Sequence, residues 1–177
     1  MSDKSGTAPR DPLLAIVRVM LGTAMTGALI ATAAFAFAVL AMIIWQEPTR
    51  AWMAGHHVQI RSIWTLALIP GLTSGISLLA FYFMRHLYGI IGTVGDGDPF
   101  VPENAGRLQS MGWISIGIHC LSVPLTILVK LAWEFTRTVH FQFEIPLAGV
   151  FLALILFILA RIFREGTQMR EDLEGTV

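Results

Sequence analysis

The chain has 177 residues, 55% of them hydrophobic and only 14% charged, and its mean hydropathy is +0.68. A soluble domain carries about 25% charged residues; here the charges gather in short clusters between long apolar runs, which leaves little chain for a separate soluble domain. Net charge is zero, with 12 Lys and Arg against 12 Asp and Glu, so no basic face argues for direct nucleic-acid binding, and the single cysteine, Cys120, excludes an internal disulfide and any cysteine-based zinc motif.

Taken in chain order, the pattern predicts an all-α polytopic membrane protein: one domain over residues 1–177, folded as a four-helix transmembrane bundle. The N-terminal stretch is polar and contains Lys4 and Arg10. The apolar run behind it is far too long for the core of a secretory signal, so it reads as a retained transmembrane helix. The spans fall at about 17–45, 62–84, 107–129 and 141–162. Crossing a hydrocarbon core of about 30 Å takes roughly 20 helical residues, which the first three runs supply without help. The fourth reaches that length only by taking in Phe141 and Phe143, with Glu144 near the interface or facing the bundle. A barrel would need alternating strands of roughly 10 residues, and these runs do not alternate.

Lys and Arg set the orientation. Lys4, Arg10, Arg18, Arg85, Arg107, Arg161, Arg164 and Arg170 fall on one side, against Arg50, Arg61, Lys130 and Arg137 on the other. That bias places both termini, the central loop at 85–106 and the tail at 163–177 in the cytoplasm. Trp45, Trp52, Trp64, Trp113 and Trp133 all lie near an expected interface. Gly71 and Gly75 form a GxxxG in the second span, and Gly22, Thr26, Gly27 and Ala31 give the first a small-residue face. Such residues let helices approach closely; packing within one bundle is favoured over a dedicated dimer interface, and a homo-oligomer stays open. Pro70 and Pro124 should kink the second and third spans.

Candidate sites are few. His119, beside Cys120, lies near the middle of the third span, and an ionisable group at that depth raises a functional question. A neutral imidazole hydrogen-bonding to a neighbouring helix answers it more simply than haem ligation, which needs a second ligand at similar depth. His56 and His57 are adjacent in the first outer loop but lack further ligands at metal spacing. Glu134 and Glu144 flank the second outer loop with nothing resembling a nucleophile beside them. No catalytic residue, metal or cofactor is therefore expected, and the chain is not read as an enzyme.

Two polar segments stand out. In the central loop, the stretch from Gly92 through Asp98, Pro99, Phe100, Pro102, Glu103 and Asn104 reads as a turn followed by a helix start. Pro102 suits a first helical turn and Glu103 the positive end of the helix dipole. The glycines do not match a dinucleotide fingerprint, and Asp96, Asp98 and Glu103 lack calcium-loop spacing. In the tail, the fourth helix is expected to continue to about Glu165 and stop at Gly166. Arg170, Glu171, Asp172 and Leu173 follow, too acidic for an anionic membrane surface. They read either as a solvated end or as a docking element.

The segment Asp98-Pro-Phe-Val-Pro-Glu-Asn-Ala-Gly-Arg-Leu, followed by Met111-Gly-Trp, resembles the signature of a bacterial family of four-helix membrane proteins with no assigned function. The tail from Phe163 to Val177 resembles that family's C-terminal signature, and the number and order of spans also match. Gly106 stands where relatives usually carry a charged residue. Members of that family are typically encoded beside a small helix-turn-helix transcription factor. The resemblance thus implies a membrane partner that holds or signals to a cytosolic regulator. Its docking residues would be Asp98, Pro99, Phe100, Pro102, Glu103, Asn104 and Arg107, with Arg164, Arg170, Glu171, Asp172 and Leu173 in the tail. The alternative is a small transporter or transporter accessory subunit, for which the spans offer only Thr, Ser, His119 and Cys120 as a polar path.

Overall fold

A computed structural model describes residues 12–55, 63–133 and 147–174. It has five helices and no strand among them: α1 (Pro12–Ile44), α2 (Gln46–Gly55), α3 (Ile63–Gly95), α4 (Pro102–Trp133) and α5 (Leu147–Glu174). Four are long and apolar enough to cross a membrane, namely Pro12–Ile44, Trp64–Gly95, Pro102–Leu131 and Leu147–Leu173. The chain is a multi-pass membrane protein. His56, His57, Glu134, Glu144, Phe141, Phe143 and the start of the fourth span lie outside the described residues, as do the first eleven.

The short α2 was not expected. Pro48 has no N–H to offer the Ile44 carbonyl four residues back, which ends α1 there. The flanking bonds survive, Trp45 N–H to the Ala41 carbonyl at 2.8 Å and Thr49 N–H to the Trp45 carbonyl at 3.2 Å, so the chain bends and continues as a second helix.

The long helices run antiparallel in chain order, α1 on α3, α3 on α4 and α4 on α5. No residue of α1 is buried. Large side chains face outward instead: Ile30, Phe37, Phe151 and Ile158 are all at least 59% exposed. Such surface would be a liability in water and is the ordinary outside of a protein solvated by lipid. With no hydrophobic drive between helices in lipid, close approach and hydrogen bonds hold them together. Gly71 packs under Val39 of α1 and Gly75 under Leu121 of α4, so the GxxxG serves contacts inside the chain. On α1, a Cβ at Gly22 or Gly27 would meet nothing within 4 Å. The α1–α3 approach is marked instead by the Ser74 hydroxyl, which donates to the Thr32 carbonyl at 3.1 Å. Pro70 and Pro124 lie inside α3 and α4.

All four long helices exceed the roughly 20 residues a bilayer needs, and α3, α4 and α5 run past their apolar stretches at the same end of the bundle. α3 carries on to Gly95 and α4 begins at Pro102, so most of 85–106 is itself helical. Gly166 does not stop the fourth helix: α5 passes through it to Glu174. The buried core also lies toward this end, with Ile90, Leu108, Met111, Leu156 and Ala160 packed against Phe83, Leu87, Leu159 and Phe163.

A platform at one end of the bundle

The connection between α3 and α4 is built by its sequence. Gly97 adopts φ +84°, the left-handed conformation that glycine enters without a Cβ clash. Around it the Gly97 N–H donates to the Val94 carbonyl at 3.1 Å and the Asp98 N–H to the Thr93 carbonyl at 3.0 Å. This pair of bonds is a Schellman cap, and Pro99 then bars further helix. Gly97→Ala is expected to lower stability by about 1 kcal/mol through the strained φ alone, measured as unfolding of the purified protein in mixed detergent micelles.

Asn104 is the hub of this turn and is completely buried. Its Nδ2 donates to the Thr93 hydroxyl at 2.6 Å and to the Pro99 carbonyl at 2.8 Å, while its Oδ1 accepts from Arg107 Nη1 at 2.7 Å. Arg107 Nη1 also donates to the Gly89 carbonyl at 3.1 Å. A Cβ at Gly89 would stand 3.0 Å from that guanidinium, so the bare glycine admits it. From the other side of α3, Arg18 Nη2 reaches the Gly92 carbonyl at 3.3 Å. Two cations thus converge on the negative end of the α3 dipole. Gly95 likewise leaves room for Arg18, whose Nη2 would stand 2.9 Å from a Cβ there, so Gly89 and Gly95 are the sequence signal for this docking.

The tail is joined to the same turn. The Phe100 ring lies against Phe163 with centroids 5.2 Å apart, and a Cβ at Gly166 would come within 2.9 Å of it. Gly166 is therefore the notch that seats Phe100. Thr167, 7% exposed, donates to the Phe163 carbonyl at 2.8 Å and lies 3.4 Å from the Phe100 carbonyl. Arg170 pairs with Asp98, and Arg164 Nη2 donates to Gln109 Oε1 at 2.9 Å. Two adjoining grooves remain between the segments. One of about 360 Å³ is lined by Pro102, Arg164 and Glu171 among others, and one of about 160 Å³ by Asp98, Phe100 and Arg170 among others.

The residues expected to dock a partner thus come together but divide in role. Pro99, Asn104 and Arg107 point into the protein and hold the turn. Glu103 and Glu171 are exposed, as are Asp172 and Leu173, the last at 71%. Thr93, Gln109, Gly166 and Thr167 belong to the platform and were missed, since small and uncharged residues inside a helix give no signal of long-range contact.

A family model described as a protein of unknown function (DUF2975) matches residues 49–177, which includes every platform residue except Arg18. The chain belongs to the DUF2975 family. The resemblance carried by the two polar segments is thereby confirmed at the level of family. No curated relative and no solved structure matches it.

His119 and Cys120 lie elsewhere in this DUF2975 protein, partway down α4. His119 Nδ1 stands 2.8 Å from the Ser115 carbonyl, and because a carbonyl only accepts, Nδ1 carries the proton. The ring covers Gly149 of α5, and the Ser115 hydroxyl donates to the Gly149 carbonyl at 3.0 Å. Cys120 is exposed. Among the described residues no three His, Cys, Asp or Glu side chains gather as a metal would need.

Proposed function

We propose that this protein is a membrane-embedded interaction partner that holds, or signals to, a small cytosolic helix-turn-helix regulator at the platform. The observation that carries the reading is that two polar segments some sixty residues apart are locked into one surface by Phe100 against Phe163 and Gly166 and by Asp98–Arg170. A frayed tail would have no such anchorage. Beyond Gly166 the sequence carries one basic residue, Arg170, which pairs with Asp98, against three acids, and of these Glu171 and Asp172 are exposed. An acidic surface of this kind suits a basic recognition helix and competes with DNA for it. The Lys and Arg bias, eight residues against four, supports a cytoplasmic position for the platform, which in this reading faces inward from a bacterial inner membrane.

The test is capture from bacterial membranes in mild detergent. The unaltered chain is expected to recover a small helix-turn-helix protein, and the Glu171→Lys, Asp172→Lys chain to recover roughly tenfold less, the scale of an interface charge reversal. Truncation after Gly166 is a poorer variant, because it also removes the anchors Thr167 and Arg170. Failure of the unaltered chain to recover such a partner under several growth conditions would sink the reading. Transport remains the alternative class, and the setting of His119, wedged between α4 and the α5 backbone, supports packing more than a polar path.

A further inference from the structure

The crevice between α4 and α5 changes character in order along its length. Deepest toward the membrane it is aromatic: Trp113, 62% exposed, meets Phe157 edge-on with centroids 5.4 Å apart. Next comes Arg164, bonded to Gln109. Beyond them the crevice opens into the groove of about 360 Å³, floored by Pro102, Ala105 and Gly106 and walled by Gln168 and Glu171. Positions 113, 109, 106 and 102 recur at helical spacing on α4, and 157, 164, 168 and 171 on α5, so the three levels follow one another along a single α4–α5 seam.

Depth and charge run together. Arg164 stands four residues beyond buried Ala160, roughly 6 Å along the axis, which is where the apolar run gives way to headgroups. Glu171 lies roughly 10 Å farther out. Arg164 uses one Nη on Gln109, so its fork keeps donors for a phosphate. No cation pairs with Glu171 among the described residues. The Gln168 amide oxygen, and the Thr167 hydroxyl oxygen that donates its proton to Phe163, add acceptors beside that carboxylate.

The geometry points to a binding site for one phospholipid whose headgroup carries a phosphate and a primary ammonium. Its acyl chains lie over Trp113 and Phe157, its phosphate meets Arg164, and its ammonium reaches Glu171 and Gln168. A quaternary ammonium has no N–H to give those acceptors. A purely anionic headgroup gains Arg164 but brings negative charge to Glu171. Lipid recognition between membrane helices commonly rests on such headgroup contacts. The site does not depend on the regulator reading.

Native mass spectrometry of the full-length chain in mild detergent tests this, with phosphatidylethanolamine, phosphatidylcholine and phosphatidylglycerol added at equal concentration. The unaltered chain is expected to retain phosphatidylethanolamine over the other two by roughly fivefold, about 1 kcal/mol of difference. Arg164→Gln should lower retention of all three, while Glu171→Gln should erase the preference over phosphatidylglycerol and leave phosphate binding in place. Equal retention of the three lipids by the unaltered chain overturns the proposal, as does full phosphatidylethanolamine retention by Arg164→Gln. Displacement of the lipid by free phosphoethanolamine at equal concentration also overturns it, in favour of a soluble ligand.

Discussion

Gly149→Ala is expected to loosen the α4–α5 pair more than any other single methyl added to the chain. The new Cβ would fall inside the His119 ring, which lies flat on the α5 backbone at that point. Either the ring leaves its place, losing the 2.8 Å bond to the Ser115 carbonyl, or α5 moves away and breaks the Ser115 to Gly149 bond. Overpacking of this kind costs about 1–3 kcal/mol, and each lost bond adds about 1 kcal/mol. The measurement is reversible unfolding in mixed micelles containing a denaturing detergent. His119→Ala alone should cost less, since it removes the ring and leaves space that lipid or neighbouring side chains can fill. The double variant Gly149→Ala, His119→Ala should then be more stable than Gly149→Ala by itself, a coupling of opposite sign to simple addition. If the two losses merely add, the ring and the glycine do not meet, and the packing account of His119 fails.

That pair also shows what a sequence can carry. The imidazole is conspicuous because an ionisable group is rare at membrane depth, and a hydrogen bond to a neighbouring helix is the natural expectation, but the bond it makes is to the Ser115 carbonyl of its own helix. Its true counterpart, Gly149, carries no side chain and thirty residues separate the two, so nothing in periodicity links them. The spans were legible for the opposite reason: length, apolarity and flanking charge are one-dimensional properties. Gly166 was misread as a helix stop because glycine in a polar stretch is most often a terminator. Here it lies inside α5 as the seat of the Phe100 ring, and the helix gains tertiary contacts from Thr167 and Arg170 that offset the propensity it loses. α2 was hidden for a related reason, since ten mixed residues between two spans are too short for a periodic signal. The order of the helices across the bundle, α1 beside α3 and α4 beside α5, follows from antiparallel neighbours joined in sequence. The platform does not follow from any such rule, because it depends on a Schellman turn presenting Pro99 and Phe100 at the right height against α5.

Asn104→Leu is expected to dismantle that platform while leaving the far end of the bundle intact. The side chain makes three hydrogen bonds from a completely buried position. Leucine keeps its branching with somewhat more bulk but leaves the Pro99 carbonyl and one face of the Arg107 guanidinium without their partner. Each buried group so orphaned costs about 1–3 kcal/mol. The Thr93 hydroxyl is less affected, because it donates to the Ile90 carbonyl at 2.8 Å whether or not Asn104 is present. Asn104→Asp keeps the acceptor for Arg107 and loses both donors, so it should fall between Leu and the unaltered chain. Hydrogen exchange reads the consequence locally. Amides at 97, 98, 100, 101 and 104 should exchange faster, followed by those of α5 around 167–170 as Phe100 leaves the Gly166 notch. The middle of α1 and α3, joined by Ser74 and Thr32, should keep its protection. Under the regulator reading, capture of the partner should drop as well, although Asn104 itself is out of any partner's reach, because the tail would no longer be held against the turn. Faster exchange confined to residue 104, with 97, 98, 100, 101 and 167–170 unchanged, would mean that the turn stands without its hub and that Phe100 in its notch, rather than Asn104, sets the register of the tail.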